Sequence, residues 1–280
     1  MSIANLFNQV YNIPSIPKLV QELINNFDNE NSNSREIAKK LQMDQALSAK
    51  VLRLANSARY GAGRKINSID SAVIILGFDT LKTLVIASGV TSACKNIPGL
   101  NQKQFWRTSF AVANIAKMLA KLARQDGDVA FTCGMLHNIG DTLLFLAHKE
   151  QMLHINTVLQ LEEATITGVS KSSLEQTQFG CTYMDVGAEL ARRWNFPEEI
   201  CLAIANQEQP EKTGTNLLYP LLINLAVRIH KSISSGKMPA EAVRDLPQNH
   251  LADLKIDNIK LLEQLTAMLQ QEDDIEAFLS

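Results

Sequence analysis

Apolar residues recur at intervals of three and four along almost the whole chain, which is the spacing of one buried face of an α-helix. The pattern is clear in residues 19–27, 47–55 and 102–124. Residues that commonly cap a helix, such as Ser34 and Asp44, precede several of these segments. No segment sustains the alternation of a half-buried strand. The sequence therefore predicts an all-α protein.

Breaks in the helical pattern divide the chain into lobes. Gly77 interrupts a helical run, and residues 96–101 contain Pro98 and Gly99 and form the clearest internal boundary. We therefore predict two packed helical lobes, followed by a C-terminal helical tail packed on the same domain. The predicted ranges are 1–97, 98–236 and 237–280.

The composition argues against a nucleic-acid-binding protein and against a membrane or secreted one. The chain has 280 residues, a net charge of −2 and no Cys-x-x-Cys pair among its four cysteines. A near-neutral, slightly acidic chain is not expected to be a constitutive nucleic-acid binder. No apolar run approaches the roughly 18 residues of a membrane span, and no signal peptide opens the chain. We expect a cytoplasmic protein with reduced thiols and no membrane partner.

A histidine lies within the apolar stretch 129–147, which the pattern predicts to be one helix. His137 is followed by Asn138, and Asp141 comes four residues later on the same predicted helical face. A histidine and a carboxylate at this spacing can share a cation, but a metal centre needs about three or four protein ligands. A buried histidine with a purely structural role remains the alternative.

Residues 134–140, GMLHNIG, resemble the Gly-Leu-Leu-His-Asp-Ile-Gly motif of HD-superfamily metal-dependent phosphohydrolases. Other segments resemble the HDOD family, the HD-related output domain of bacterial signalling proteins. The match runs from about residue 13 to residue 209 and implies that the second lobe is an HD-like helical bundle. The remaining matching segments are 13–17 (IPSIP), 43–48 (MDQALS), 51–60 (VLRLANSARY), 66–77 (INSIDSAVIILG) and 194–197 (WNFP).

The resemblance also implies where metal ligands would lie, and most of those positions have changed. Only the histidine keeps its chemistry, because the other positions carry neutral side chains. Hydrolysis by the superfamily mechanism is therefore not expected, and neither is a bound metal or other cofactor. An alternative ligand set would have to use Asp141, Asp185 or Glu189. The vestigial positions are Thr108, His137, Asn138, Tyr183, Asn206 and Val227.

A second candidate surface is basic. No acidic residue lies between Asp44 and Asp70, whereas lysines, arginines and hydrogen-bonding side chains do. Such a segment suits an anionic partner, such as a phosphate or an acidic protein surface. A solvated helix face, with Asn56 as a turn residue, is the alternative. The candidate patch comprises Lys50, Arg53, Asn56, Arg59, Tyr60, Arg64 and Lys65.

Two functions from different classes follow from the resemblance. The first is a non-catalytic bacterial signal-transduction domain that binds other signalling proteins or a small anionic ligand. We expect it to stand alone and to receive its input from other chains, either as a monomer or as a homodimer. The second is a divergent metal-dependent phosphohydrolase acting on a nucleotide or phosphoester. A nucleic-acid-associated regulator is a third, weaker interpretation of the basic segment.

Overall fold

The computed structural model describes residues 3–10, 13–27, 34–56, 66–165, 169–213 and 218–270. Within these ranges the chain is helical and contains no β-strand, which confirms the predicted all-α class. A short 3-10 turn, Pro210–Thr213, follows α11. The helices are α1 Ile3–Gln9, α2 Lys18–Phe27, α3 Ser34–Gln42, α4 Gln45–Ala55, α5 Ile69–Ala93, α6 Gln102–Leu122, α7 Gly127–Leu136, α8 Gly140–Thr165, α9 Lys171–Phe179, α10 Tyr183–Arg193, α11 Glu198–Ala205, α12 Leu218–Ser234, α13 Pro239–Arg244, α14 Gln248–Asp253 and α15 Asn258–Leu269.

One compact unit is formed by the described parts of residues 14–95. Its α5 packs against α2, α3 and α4 around fully buried leucines such as Leu41 and Leu81. The Asp44 side chain caps α4 by accepting a hydrogen bond from the Leu47 amide at 2.9 Å, as its position in the sequence predicts. The predicted break in α5 is confirmed, because its backbone leaves the helical region at Gly77, where φ is 72°.

The other unit combines the described parts of residues 1–13 with those of residues 96–270. Helix α6 forms its centre and packs against α7 and α12, with the rings of Phe110 and Phe131 6.4 Å apart. Helix α10 packs against α8 and α11. Helix α1 contacts α8, and the Phe7 ring lies 4.1 Å below the guanidinium of Arg193.

The division into units differs from the predicted ranges at the N-terminus. The described parts of residues 1–13 belong with the chain that follows residue 95, whereas the sequence pattern grouped them with the first lobe. Their apolar positions explain this, because Leu6 and Phe7 are buried although α1 is only seven residues long. The described part of the predicted tail, residues 237–270, lies in the same unit as residues 98–236.

The prediction of one continuous helix through residues 129–147 is wrong. Helix α7 ends at Leu136 and α8 begins at Gly140, so His137 lies in a tight turn between two helices. His137 and Asp141 therefore do not share a helical face, as the i, i+4 spacing had suggested. The turn is held by hydrogen bonds from the Ile139 amide to the Leu136 carbonyl and from the Asp141 amide to the Asn138 carbonyl.

Gly140 allows the start of α8 to approach α10 closely. A Cβ atom built on Gly140 would collide with the backbone carbonyl oxygen of Tyr183 and lie 2.6 Å from the Gly187 nitrogen. Both obstacles are backbone atoms, so they cannot move as a flexible side chain would. The absence of a side chain at Gly140 therefore fixes the position of the turn that carries His137.

The segment Gly127–Leu161 is long and apolar enough to span a membrane by length and composition alone. However, 83% of its most apolar window is buried inside the protein. It is interrupted by the turn at His137 and packs against α6, α10 and α12. Its apolar character is accounted for by the interior of the helical unit.

Candidate functional site

His137 is a neutral imidazole in the turn between α7 and α8. Its side chain is buried, and its Nδ1 atom lies 2.7 Å from the Gly134 carbonyl oxygen. Because a carbonyl can only accept, Nδ1 must carry the proton, which leaves a lone pair on Nε2. Burial lowers the pKa of His137 from 6.5 to about 4. The ring is therefore uncharged near neutral pH and able to accept a hydrogen bond or ligate a metal through Nε2.

Neutral amides and a hydroxyl surround this turn. The Ser109 hydroxyl donates to the Asn138 side-chain oxygen at 2.9 Å. The Gln207 amide nitrogen donates to the His137 carbonyl at 2.6 Å, and the Asn224 amide nitrogen donates to the Gln207 carbonyl at 2.7 Å. All five residues are buried. They form what we term the His137 network, which joins the turn to α6, to the end of α11 and to α12.

Four of the six predicted vestigial positions lie outside the His137 network, and one of them, Tyr183, belongs to the charged cluster described below. The other three are Thr108, Asn206 and Val227. Thr108 and Val227 are partly exposed, and the Asn206 amide donates to the Leu202 carbonyl of its own helix at 2.9 Å. In each case a polar residue one to three positions away joins the network instead. Ser109 belongs to α6 and Asn224 to α12, whereas Gln207 follows the end of α11. The residues found in the network are Ser109, Gln207 and Asn224.

A charged cluster begins three residues after Asn138. The Lys171 ammonium donates to both oxygens of Asp141, each at 2.5 Å, and lies 3.7 Å from Glu175 Oε1. It also lies 4.5 Å from the centre of the Tyr183 ring. The Tyr183 hydroxyl donates to Glu208 Oε1 at 3.3 Å. These five residues form what we term the Lys171 cluster, and of them the sequence analysis had singled out only Asp141 and Tyr183.

Within the Lys171 cluster, burial and neighbouring charges shift the pKa values of Lys171 and Glu175 in opposite directions. Burial lowers the pKa of Lys171, but the Asp141 and Glu175 carboxylates outweigh it, so the pKa is raised overall. Burial raises the pKa of Glu175 from 4.5 to about 7, against the opposing effect of Lys171. The Glu175 side chain is 0% exposed, and its Oε2 accepts the Tyr183 backbone amide at 2.7 Å, at the first residue of α10. Lys171 is therefore charged near neutral pH, whereas Glu175 is close to its titration midpoint.

The alternative metal ligands named from the sequence are engaged elsewhere. Asp141 is bonded to Lys171 through both oxygens, the Asp185 carboxylate accepts the Thr182 backbone amide in the capping box at the start of α10, and Glu189 pairs with an arginine of its own helix at 2.9 Å. Across the described ranges, no three His, Cys, Asp or Glu side chains converge closely enough to hold a metal ion. The residues around His137 therefore do not fit a metal centre of the superfamily type.

The described part of the candidate basic patch consists of Lys50, Arg53 and Asn56. The pKa of Lys50 is lowered by burial and then by the charges of Lys95 and Arg53, against the opposing effect of the Asp44 carboxylate. Mutual repulsion of this kind requires the cations to lie near one another. An anion bound beside them would relieve that repulsion. The other charged or aromatic members of the patch lie outside the described residues: Arg59, Tyr60, Arg64 and Lys65.

Asn56, a member of this patch, uses its side-chain amide to hydrogen-bond the backbone of Leu52 and Ile66. Its side-chain oxygen accepts the Ile66 amide at 2.8 Å, and its side-chain nitrogen donates to the carbonyls of Ile66 at 2.7 Å and Leu52 at 2.8 Å. It thereby links the end of α4 to the residue at which the described chain resumes. The turn role that the sequence left open for Asn56 is the one supported by these hydrogen bonds.

Comparison with known families identifies the chain. A model of the HDOD domain family matches residues 13–210, which is more than half of the sequence. The chain belongs to the HDOD domain family. The resemblance noted from the sequence motifs, over residues 13–209, is thus confirmed.

Individual relatives share sequence or fold with the chain over most of its length. A solved structure of a proposed phosphohydrolase from Shewanella amazonensis SB2B is 33% identical, with a TM-score of 0.82, covering 99% of this HDOD chain and 98% of its own. A proposed signal transduction protein from Marinobacter aquaeolei VT8 shares the fold at 23% identity and a TM-score of 0.77, over 95% of this chain and 59% of its own. An uncharacterised Treponema pallidum (strain Nichols) protein is 24% identical over 98% of this chain, which spans 52% of that relative.

Proposed function

We propose that this HDOD chain is a non-catalytic regulatory domain of a bacterial signalling pathway. It acts in the cytoplasm by binding another signalling protein or a small anionic ligand, and it transmits the bound state to that pathway. The names of its structural relatives include both a signal transduction protein and a phosphohydrolase. The distinction between these two activities therefore depends on the residues of this chain.

The observation that carries the proposal is the neutral chemistry of the His137 network. Amide and hydroxyl groups hold one another around the histidine, and a hard cation prefers carboxylate ligands to such groups. The nearest carboxylate in the turn, Asp141, already has both oxygens bonded to Lys171. One imidazole with neutral neighbours cannot hold a divalent ion strongly enough to activate water.

The anionic ligand is inferred from the charges near α4. Burial lowers the pKa of Lys50, and the positive charges of Lys95 and Arg53 lower it further. Asn56, which follows α4, is hydrogen-bonded to Ile66 through both ends of its side-chain amide. Phosphate groups and acidic side chains are the anions that lysine and arginine bind through charge-assisted hydrogen bonds.

A divergent phosphohydrolase is the second candidate, and one observation favours it. Because Nδ1 of His137 donates to the Gly134 carbonyl, Nε2 is left with the lone pair that a metal ligand needs. The 33% identical relative is also described as a proposed phosphohydrolase. This candidate requires ligands other than those the described residues bring to His137.

Hydrolysis of bis(p-nitrophenyl) phosphate in the presence of Mn²⁺ separates the two candidates. We expect wild type, His137→Ala and the matched control His154→Ala to give the background rate. His154 is an exposed histidine on α8 and tests for non-specific effects of losing an imidazole. A wild-type rate well above background that is abolished in H137A and retained in H154A would establish the phosphohydrolase and refute our proposal.

A further inference from the structure

Helix α1 packs with a part of the chain that is distant from it in sequence. It spans Ile3–Gln9 and belongs to the unit built from residues 96–270, although residues 14–95, the other unit, lie between the two in the chain. It also lies outside residues 13–210, which match the HDOD family model. Helix α1 is therefore peripheral to the part of the chain that defines the family.

The buried face of α1 is formed by Leu6 and Phe7, which are 1% and 3% exposed. Helix α1 contacts α8, and the centre of the Phe7 ring lies 4.1 Å from the guanidinium carbon of Arg193 on α10. Asn5 and Asn8, on the other face of the helix, are exposed. We term the surface of α8 and Arg193 that covers Leu6 and Phe7 the α1 groove.

The length of α1 means that its order depends on the α1 groove. An isolated helix of seven residues is not stable in water, because too few backbone hydrogen bonds form to offset the cost of nucleation. Its first turn carries no acidic residue and its last turn no basic residue that would favour the helix dipole. Helix α1 is thus bound to its unit in the way that a short amphipathic helix binds to a groove on another protein.

The segment that follows α1 suits an exchange of this helix between molecules. Residues 13–17 are not helical and contain Pro14 and Pro17. Proline restricts its own backbone and that of the preceding residue to extended conformations, so this hinge is stiff. A stiff hinge loses less chain entropy than a flexible one when the helix beyond it binds to a second molecule.

We propose that the α1 groove is a helix-docking site that the α1 helix of a second copy of this chain fills by exchange. Each copy then places its α1 in the groove of the other, which gives a symmetric dimer. The exchanged helix makes the contacts that Leu6 and Phe7 make within one chain, so dimer formation depends on protein concentration. This inference does not rest on the proposed function, because neither the His137 network nor the basic patch takes part.

Sedimentation velocity of the full chain at two concentrations tests the exchange. A tethered helix competes at an effective concentration in the millimolar range, so we expect monomer at about 5 µM and a detectable dimer at about 500 µM. A synthetic peptide of residues 1–13, added at millimolar concentration, should lower the dimer fraction by occupying the α1 groove. The same peptide with Phe7→Ala should leave the dimer fraction unchanged.

Two full-chain variants make the result specific to the buried face of α1. Phe7→Ala should lose the dimer and should bind the fluorescently labelled 1–13 peptide about tenfold more tightly than wild type, whose own α1 competes for the groove. Asn8→Ala changes the exposed face of the same helix and is the matched control. It should dimerise and bind the peptide as wild type does.

The inference is overturned if wild type stays monomeric at the higher concentration, or if its dimer is unaffected by the 1–13 peptide. Neither measurement needs a substitution, so both decide the question even if F7A does not fold. An F7A chain that keeps the wild-type dimer, or an N8A chain that loses it, would equally refute the exchange.

Discussion

Two buried polar groups lie three residues apart in one turn and are satisfied in opposite ways. Asn138 joins the His137 network, in which amides and a hydroxyl are paired without any charge. Asp141 joins the Lys171 cluster, in which carboxylates are paired with one ammonium. Burial costs little for a neutral group once it is hydrogen-bonded, whereas a buried charge needs an opposite charge as well.

This difference determines which of the two regions changes its protonation state near neutral pH. Burial keeps His137 neutral by lowering its pKa to about 4, so the His137 network changes little near neutral pH. Glu175, with a pKa raised to about 7, titrates where His137 does not. Near neutral pH the His137 network therefore keeps its protonation state, whereas the Lys171 cluster can change its protonation state through Glu175.

The largest effect on the free energy of unfolding should come from Gly140→Ala. Gly140 lies between Asn138 of the His137 network and Asp141 of the Lys171 cluster, so a displacement there would affect both. A methyl group there would meet the Tyr183 carbonyl and the Gly187 nitrogen, which are backbone atoms. We expect the free energy of unfolding to fall by about 3 kcal/mol or more, since overpacking against backbone cannot be relieved by a side-chain rotation. Urea unfolding followed by circular dichroism measures it.

Gly127→Ala is the matched control for this substitution. A Cβ on Gly127 would lie 3.2 Å from Lys117 Cγ, which belongs to a flexible side chain. Its stability should stay within about 1 kcal/mol of wild type. Equal losses of unfolding free energy in G140A and G127A would mean that the close approach of α8 and α10 does not position the His137 network and the Lys171 cluster.

A smaller effect on the free energy of unfolding, one that varies with pH, is expected for Glu175→Gln. Because the folded pKa of Glu175 is raised, unfolding releases a proton between pH 4.5 and about 7, so wild type loses stability as pH rises through this range. Glutamine can still accept the Tyr183 amide but cannot ionise. The stability of E175Q relative to wild type should therefore increase with pH, by up to about 3 kcal/mol at neutral pH.

Chemical denaturation at several pH values provides this measurement. His137 contributes in the opposite direction, since its lowered pKa makes stability rise between about 4 and 6.5, but it is present in both proteins and cancels in the difference. A constant difference between E175Q and wild type across the range would show that Glu175 is already ionised and that the Lys171 cluster is as insensitive as the His137 network.

The fold could be predicted from the sequence because its determinants are local. Apolar spacing located the helices, and the Asp44 cap marked where α4 begins. Gly77 marked a bend through its positive φ angle. These signals act within a few residues of the backbone they control, so one sequence is enough to detect them.

The site was harder to predict because its contacts are distant in sequence. His137 and Asn138 were recognised from their motif, but Gln207 contacts His137 across 70 residues and Lys171 contacts Asp141 across 30. Residues 219–226 are all buried, so apolar spacing could not indicate that Asn224 rather than Val227 joins the network. The turn at 137–139 contains no glycine or proline, which is why the helix was predicted to continue.

The most direct test of the account is the metal content of the wild-type chain. After equilibration with Mn²⁺ and removal of the free ion, inductively coupled plasma mass spectrometry would count the ions bound per chain. We predict a content far below one equivalent, because the His137 network is neutral and both oxygens of Asp141 are already bonded to Lys171. One equivalent of Mn²⁺ that is retained by wild type and lost in H137A would contradict the account.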